Sequence, residues 1–136
     1  MRPSAPMSEQ IRRVRRLIGE YLTDTGPATV TVAALHAAMR TPRSAVYVTW
    51  DSRGRCRYVG SVHRPAARTA IRDRLGEHAR IPLRRTSWYA VTVFPLRDDV
   101  TVDVVRHHEG WVAYALDPLD GSGHPVAAMQ APPRLN

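Results

Sequence analysis

The stretch Ala45-Val46-Tyr47-Val48-Thr49-Trp50-Asp51-Ser52-Arg53-Gly54-Arg55-Cys56-Arg57-Tyr58-Val59-Gly60-Ser61 decides how the chain is read. Two runs rich in β-branched and aromatic residues, 45–50 and 57–61, flank the polar segment Asp51-Ser52-Arg53-Gly54, which is the composition of a β-hairpin. Tyr47 and Tyr58 are eleven positions apart. With the turn centred between Ser52 and Arg53, the two tyrosines fall opposite each other, and paired residues share one face of a sheet. A one-residue bulge at Gly54 would spoil that pairing.

Outward from the hairpin, the preceding residues read as helical. Over 8–23, Ile11, Val14, Leu17, Ile18, Tyr21 and Leu22 recur at helical spacing, and Arg12, Arg13, Arg15 and Arg16 fill much of the rest. Gly26-Pro27 breaks that helix, and Thr31 is placed to cap a second short one over 32–40. Thr41-Pro42-Arg43 reads as a linker. After the hairpin come a loop with Pro65, a helix over 66–79 stopped by Ile81-Pro82, a strand over 87–94, and a helix from about 102 to 116, whose Val-Thr-Val start reads alternatively as extended, closed by Asp117-Pro118. The expectation is an α/β fold: a small, three-stranded, mostly antiparallel sheet in the order β-β-α-β-α, flanked by helices. Residues 1–43 form an N-terminal helical extension and linker, 44–121 the α/β domain, and 122–136 an irregular Gly/Pro-rich tail.

Composition narrows the function classes. The chain has 136 residues, enough for one compact domain with a modest core. No apolar run is long enough to span a bilayer, and the N-terminus does not read as a signal peptide, so no membrane partner is expected. A single cysteine, Cys56, excludes an intramolecular disulfide, and a cytoplasmic location is the default. The formal net charge is +8, and every basic residue other than histidine is Arg, which suits a polyanionic partner.

Three groups of residues can carry chemistry. In the helix over 66–79, Ile71, Leu75 and His78 form one stripe with Arg74 at its flank, so Arg74 and His78 lean toward the sheet. Arg68 lies near the opposite flank and Arg72 points further out; long basic side chains that run along a core edge give the same pattern. Glu109 falls in the middle of the apolar stripe Val102, Val105, Val112 and Leu116. A carboxylate there is paired with an Arg, hydrated in a cavity, bound to a cation, or carried on a helix rotated toward water. One carboxylate with several waters suits Mg²⁺. His107-His108-Glu109 lacks the His spacing of a zincin helix, and Cys56 has no partner cysteine.

Taken together these residues resemble the GIY-YIG nuclease family. Ala45-Val46-Tyr47 looks like the first motif, with Ala in place of Gly, and Tyr58-Val59-Gly60 looks like the second, with Ser61 a common follower. Arg74-Leu75-Gly76-Glu77-His78 resembles the family's first helix, with Arg68 competing for the catalytic Arg position, and Glu109 resembles its metal-binding Glu. The Asn that usually follows the Glu helix is not obvious; Gly121 or His124 occupies that neighbourhood. The resemblance covers roughly residues 44–121.

It implies a DNA endonuclease that hydrolyses phosphodiester bonds with Mg²⁺ or Mn²⁺ held by Glu109. Tyr47 first and Tyr58 second would deprotonate or orient the attacking water. Arg74 would stabilise the phosphate, and His78 would relay a proton or fix Tyr47. Gly60, Ser61, His63, Arg64, Arg68 and Arg72 become the candidate nucleic-acid contacts. The alternative is a catalytically impaired nucleic-acid-binding module of the same fold. The N-terminal helices offer a basic face that would widen the DNA footprint, or an arm for homodimerisation.

Overall fold

The computed structural model describes residues 1–35, 41–64, 67–78, 80 and 87–120, residue 78 by its backbone. Its elements are α1 (Ala5–Ile18), β1 (Ala28–Thr31), β2 (Ser44–Trp50), β3 (Cys56–His63), α2 (Ala70–His78), β4 (Ala90–Pro95) and α3 (Val102–Leu116), with short 3₁₀ turns at Gly19–Tyr21 and Val32–Ala34. The strands form one antiparallel sheet in the order β1-β4-β2-β3. The α/β expectation therefore stands, with a correction: the sheet has four strands, not three. The additional strand, Ala28–Thr31, pairs with Ala90–Val93 of β4. Thr31 does act as a cap, its hydroxyl accepting from the Ala34 amide at 3.2 Å, but it opens a 3₁₀ turn. Residues 36–40, the rest of the expected second helix, lie outside the described residues, as do the tail 121–136 and the expected helix stop at Ile81-Pro82.

Alternation along the strands divides the core into two layers. Val46, Val48 and Trp50 of β2, Val59 of β3, and Ala90 and Phe94 of β4 face α1 and α3. Ala45, Tyr47, Val62, Val91 and Val93 face α2, where they meet Ile71 and Leu75. The apolar stripe of α1 is turned into the first layer: Val14 and Ile18 are each 0% exposed. Full burial of such side chains is worth roughly 1.5–3 kcal/mol each, so the N-terminal helix belongs to the main core. That stripe is used within the chain, and dimerisation through it would have to use another face of α1. Thr101 caps α3, accepting from the Val104 amide at 3.3 Å, and Asp117 ends it in the left-handed region at φ 49°.

The hairpin register differs from the expected one by two residues. Tyr47 pairs with Gly60, and Tyr58 pairs with Thr49. The cause is a connection longer than a tight turn. The Asp51 carboxylate organises it by accepting from the amides of Arg53 and Arg55, both at 2.9 Å, and from Arg55 Nε at 2.8 Å. Gly54 takes the positive φ of 79° that closes the loop. Burial alone would raise the Asp51 carboxyl, but these donors outweigh it and hold the group below its ordinary range. The ladder then skips Arg57, passing from Thr49↔Tyr58 to Trp50↔Cys56. A displacement of two preserves side-chain parity, so both tyrosines still share the α2 face, with ring centroids 6.3 Å apart.

Candidate active site at the edge of the sheet

β3 is an edge strand, and the site is built across it. Gly60 and Ser61 are neighbours that face opposite ways. Gly60 lies on the α2 side opposite Tyr47, and its missing side chain is filled by the tip of the Tyr47 ring: a Cβ there would meet Cζ and Oη closer than real Cβ atoms approach anything. Ser61 lies on the α3 side, where its hydroxyl donates to Glu109 Oε1 at 2.7 Å. The Ser61 carbonyl accepts from Arg74 Nη1 of α2 at 2.8 Å. One residue thus holds the candidate Arg and the candidate Glu, brought from helices on opposite faces of the sheet.

These groups border a cavity of about 350 Å³ walled by Ser61, Val62, His63, Arg74, Val102, Val105, Arg106 and Glu109. Arg74 and His63 also line a neighbouring hollow of about 320 Å³ beside Asp73 and Glu77. His63 is oriented by the buried Ser44, whose hydroxyl lies 2.9 Å from its Nδ1. Glu109 is partly buried, as its position in the α3 stripe predicts, and it shares the cavity wall with Ser61, His63, Arg74 and Arg106 as well as three valines. Sequence reasoning did not single out Arg106; its place one helical turn before Glu109 was the available signal.

The two tyrosines occupy different ground. Tyr47 is 0% exposed, and neither phenol walls the larger cavity. Among the described residues the buried Tyr47 hydroxyl has no partner that meets hydrogen-bond geometry, although the Arg74 guanidinium is near enough to act on it. Burial pushes this phenol far above its ordinary range, and the fields of Tyr58 and Glu109 add to the shift. Arg74 opposes it by charge and by its hydrogen-bonding approach without prevailing. Tyr47 is therefore electrostatically joined to Tyr58, Arg74 and Glu109, but as a neutral phenol.

Tyr58 is held by residues that sequence reasoning missed. Its ring stacks on Trp88 at 5.4 Å, and Trp88 Nε1 donates to Asp120 Oδ2 at 2.6 Å. Asp120 also takes Arg57 in a two-pronged pair, Nη2–Oδ1 at 2.7 Å and Nε–Oδ2 at 3.0 Å. The skip in the ladder at Arg57 is what aims that side chain out of the hairpin and onto Asp120. Asp120 follows the Glu helix and directly precedes Gly121; Gly121 and His124 themselves lie outside the described residues.

The other candidate contacts scatter. Arg64 is exposed, with φ 46°, and its amide bonds the Arg43 carbonyl. Arg72 is exposed, with Nε 3.8 Å from Asp73 Oδ1, and Arg68 is exposed and lines neither hollow. Of the two competing arginines, Arg74 is the one beside Ser61 and Glu109. The expected relay through His78 rests on a side chain outside the described residues.

A single carboxylate on a cavity of about 350 Å³ leaves room for a hydrated Mg²⁺ or Mn²⁺, which keeps most of its waters. Among the described residues no group of three His, Cys, Asp or Glu gathers. His107 and His108 instead bond backbone carbonyls of their own helix, Asp103 at 2.6 Å and Val104 at 2.7 Å. The chain matches no family model, no curated protein and no solved structure. Among the described residues no helix is long and apolar enough to cross a membrane.

Proposed function

We propose that the chain is a divalent-metal-dependent hydrolase of DNA phosphodiester bonds, as its resemblance to the GIY-YIG nucleases implies. The observation that carries the reading is the convergence of Arg74 and Glu109 on Ser61 at the wall of one cavity. A divalent cation held by Glu109 would supply Lewis acidity at the scissile phosphate and its leaving oxygen. Ser61 orients the Glu109 carboxylate. Arg74 presents a planar fork of donors suited to a phosphate, anchored at one end on the Ser61 carbonyl. Tyr47 acts as a neutral hydrogen-bonding group beside Arg74. A base must lose its proton near the working pH, and burial opposes that loss at Tyr47.

The test is cleavage of supercoiled plasmid with Mg²⁺ or Mn²⁺, with and without EDTA. Nicking should require the metal, and Glu109→Ala should lower it by about 10²-fold or more, the usual scale for removing a central electrostatic group. Glu109→Ala that cuts as well as the native chain removes the assignment. The second reading, a nucleic-acid-binding module without turnover, draws on the closure of Tyr47 from solvent. It predicts salt-sensitive DNA binding and no cleavage with any divalent ion.

A further inference from the structure

We infer that the outer face of α1 is a docking strip for the phosphate backbone of a nucleic-acid duplex, separate from the cavity at Ser61. Arg12, Arg13, Arg15 and Arg16 are all exposed, whereas Met7, Val14, Leu17 and Ile18 on the other side of the helix are buried. At 3.6 residues per turn the four arginines cover an arc of roughly 160°, centred opposite the buried stripe. None of them forms an ion pair among the described residues, and Glu9 is the single acid on the same arc of the helix.

This arrangement works against the helix. Arg12 stacks over Arg15 and Arg16 at the i,i+3 and i,i+4 spacings, and like charges so placed destabilise a helix by roughly 0.2–0.5 kcal/mol per pair. Arg15 and Arg16 gain something from the helix C-terminus, but Arg12 and Arg13 do not. A polyanion removes the repulsion and gains paired guanidinium–phosphate bonds. The partner is a nucleic acid and not a membrane because a basic amphipathic helix binds bilayers by inserting its apolar face, and here that face is committed to the core.

The strip is also held still. The Gln10 amide donates to the Gly54 carbonyl at 3.2 Å, and α1 packs beside α3, which carries Glu109 and Arg106. The inference depends on the hydrolase reading only in taking the same polymer as ligand.

The experiment measures binding of a labelled duplex by anisotropy, in EDTA, across a salt series. Arg12→Gln, Arg13→Gln, Arg15→Gln and Arg16→Gln together should weaken binding at least tenfold and flatten the slope of log K against log salt by about 2 to 4, at about 0.9 for each phosphate no longer neutralised. The corresponding four Arg→Lys changes should keep most of the slope. Two paired variants, Arg12→Gln with Arg16→Gln and Arg13→Gln with Arg15→Gln, should each give about half the effect; they decide the matter if the fourfold variant does not fold. Unchanged affinity and slope overturn the strip. So does loss of binding to phosphatidylserine vesicles with duplex binding intact. A native chain that binds through the strip but cuts nothing removes the hydrolase and leaves the strip standing. One that cuts, with binding unaffected by the substitutions, removes the strip alone.

Discussion

Replacing Gly60 with Ala tests the packing on which the candidate site depends. A Cβ at this position would overlap Cζ and Oη of Tyr47 and come within 2.9 Å of Cε2. The ring cannot step aside easily, because it is fully buried and has Tyr58 at 6.3 Å on its own face. Overpacking of this kind costs roughly 1–3 kcal/mol. Against it, Gly→Ala in a strand recovers roughly 0.5–1 kcal/mol of backbone entropy. The net expectation is a loss of about 0–2.5 kcal/mol, read from urea denaturation at constant m. The sharper measurement is a double-mutant cycle with Tyr47→Ala, which alone should cost about 3–5 kcal/mol through the cavity it leaves. In the double variant the new methyl group fills space that the ring vacated, so the combined loss should fall short of the sum by at least about 1 kcal/mol. Additivity within about 0.5 kcal/mol, or a stabilising Gly60→Ala, would refute the claim that Tyr47 lies over Gly60.

Two further outcomes follow from buried polar groups. His108 is 2% exposed, between Tyr21 and Trp111, and its Nε2 is without a partner among the described residues; burial, then the neighbouring His107, lower its pKa, while the Val104 carbonyl and Glu20 oppose this. The unfolded chain therefore takes this proton first, near the ordinary histidine value of about 6.5, and stability should be full above that pH and fall below it by up to about 1.4 kcal/mol per pH unit. Denaturation midpoints from about pH 7.5 to about pH 5 should show this limb, and His108→Phe should flatten it; an equal slope in the variant rejects the assignment. Asp120→Ala should cost roughly 2–4 kcal/mol, scaled down from the usual cost of breaking a buried pair because the two side chains are 19% and 14% exposed. It should also shift tryptophan emission as Trp88 loses its acceptor, and an unchanged spectrum with unchanged stability would count against the clamp on Tyr58.

How much of this was legible depended on period and length. The helix over 102–116 was legible because a sustained apolar stripe and the Asp117-Pro118 stop agree; its start was open until the structure showed Thr101 capping it. The hairpin was legible for the same reason, its alternation being bounded by turn residues. Its register was not, because the connection is set by Asp51 reaching two amides and a guanidinium, which no turn signature announces. β1 is too short, at Ala28–Thr31, to show a period beside Gly26-Pro27, and it becomes a strand through its pairing with β4. Glu109 stands out in the sequence as a charge out of pattern. The facts that it meets Ser61 from one side of the sheet while Arg74 meets it from the other, and that Tyr47 is walled off, depend on helix placement and not on spacing.

The β1–β4 ladder also governs how the molecule can be made. Ala28 is registered with Val93, and α1 shares its core with Val105, Val112 and Leu116 of the last helix. During synthesis the amino-terminal third therefore emerges long before the residues it packs against. Until β4 and α3 leave the ribosome, Val14, Leu17 and Ile18 have only the hairpin's share of their layer to pack on. Such non-local pairing is slow, and the waiting segment is open to aggregation. The nascent chain is at its most vulnerable after the hairpin has formed and before its first strand has found its neighbour.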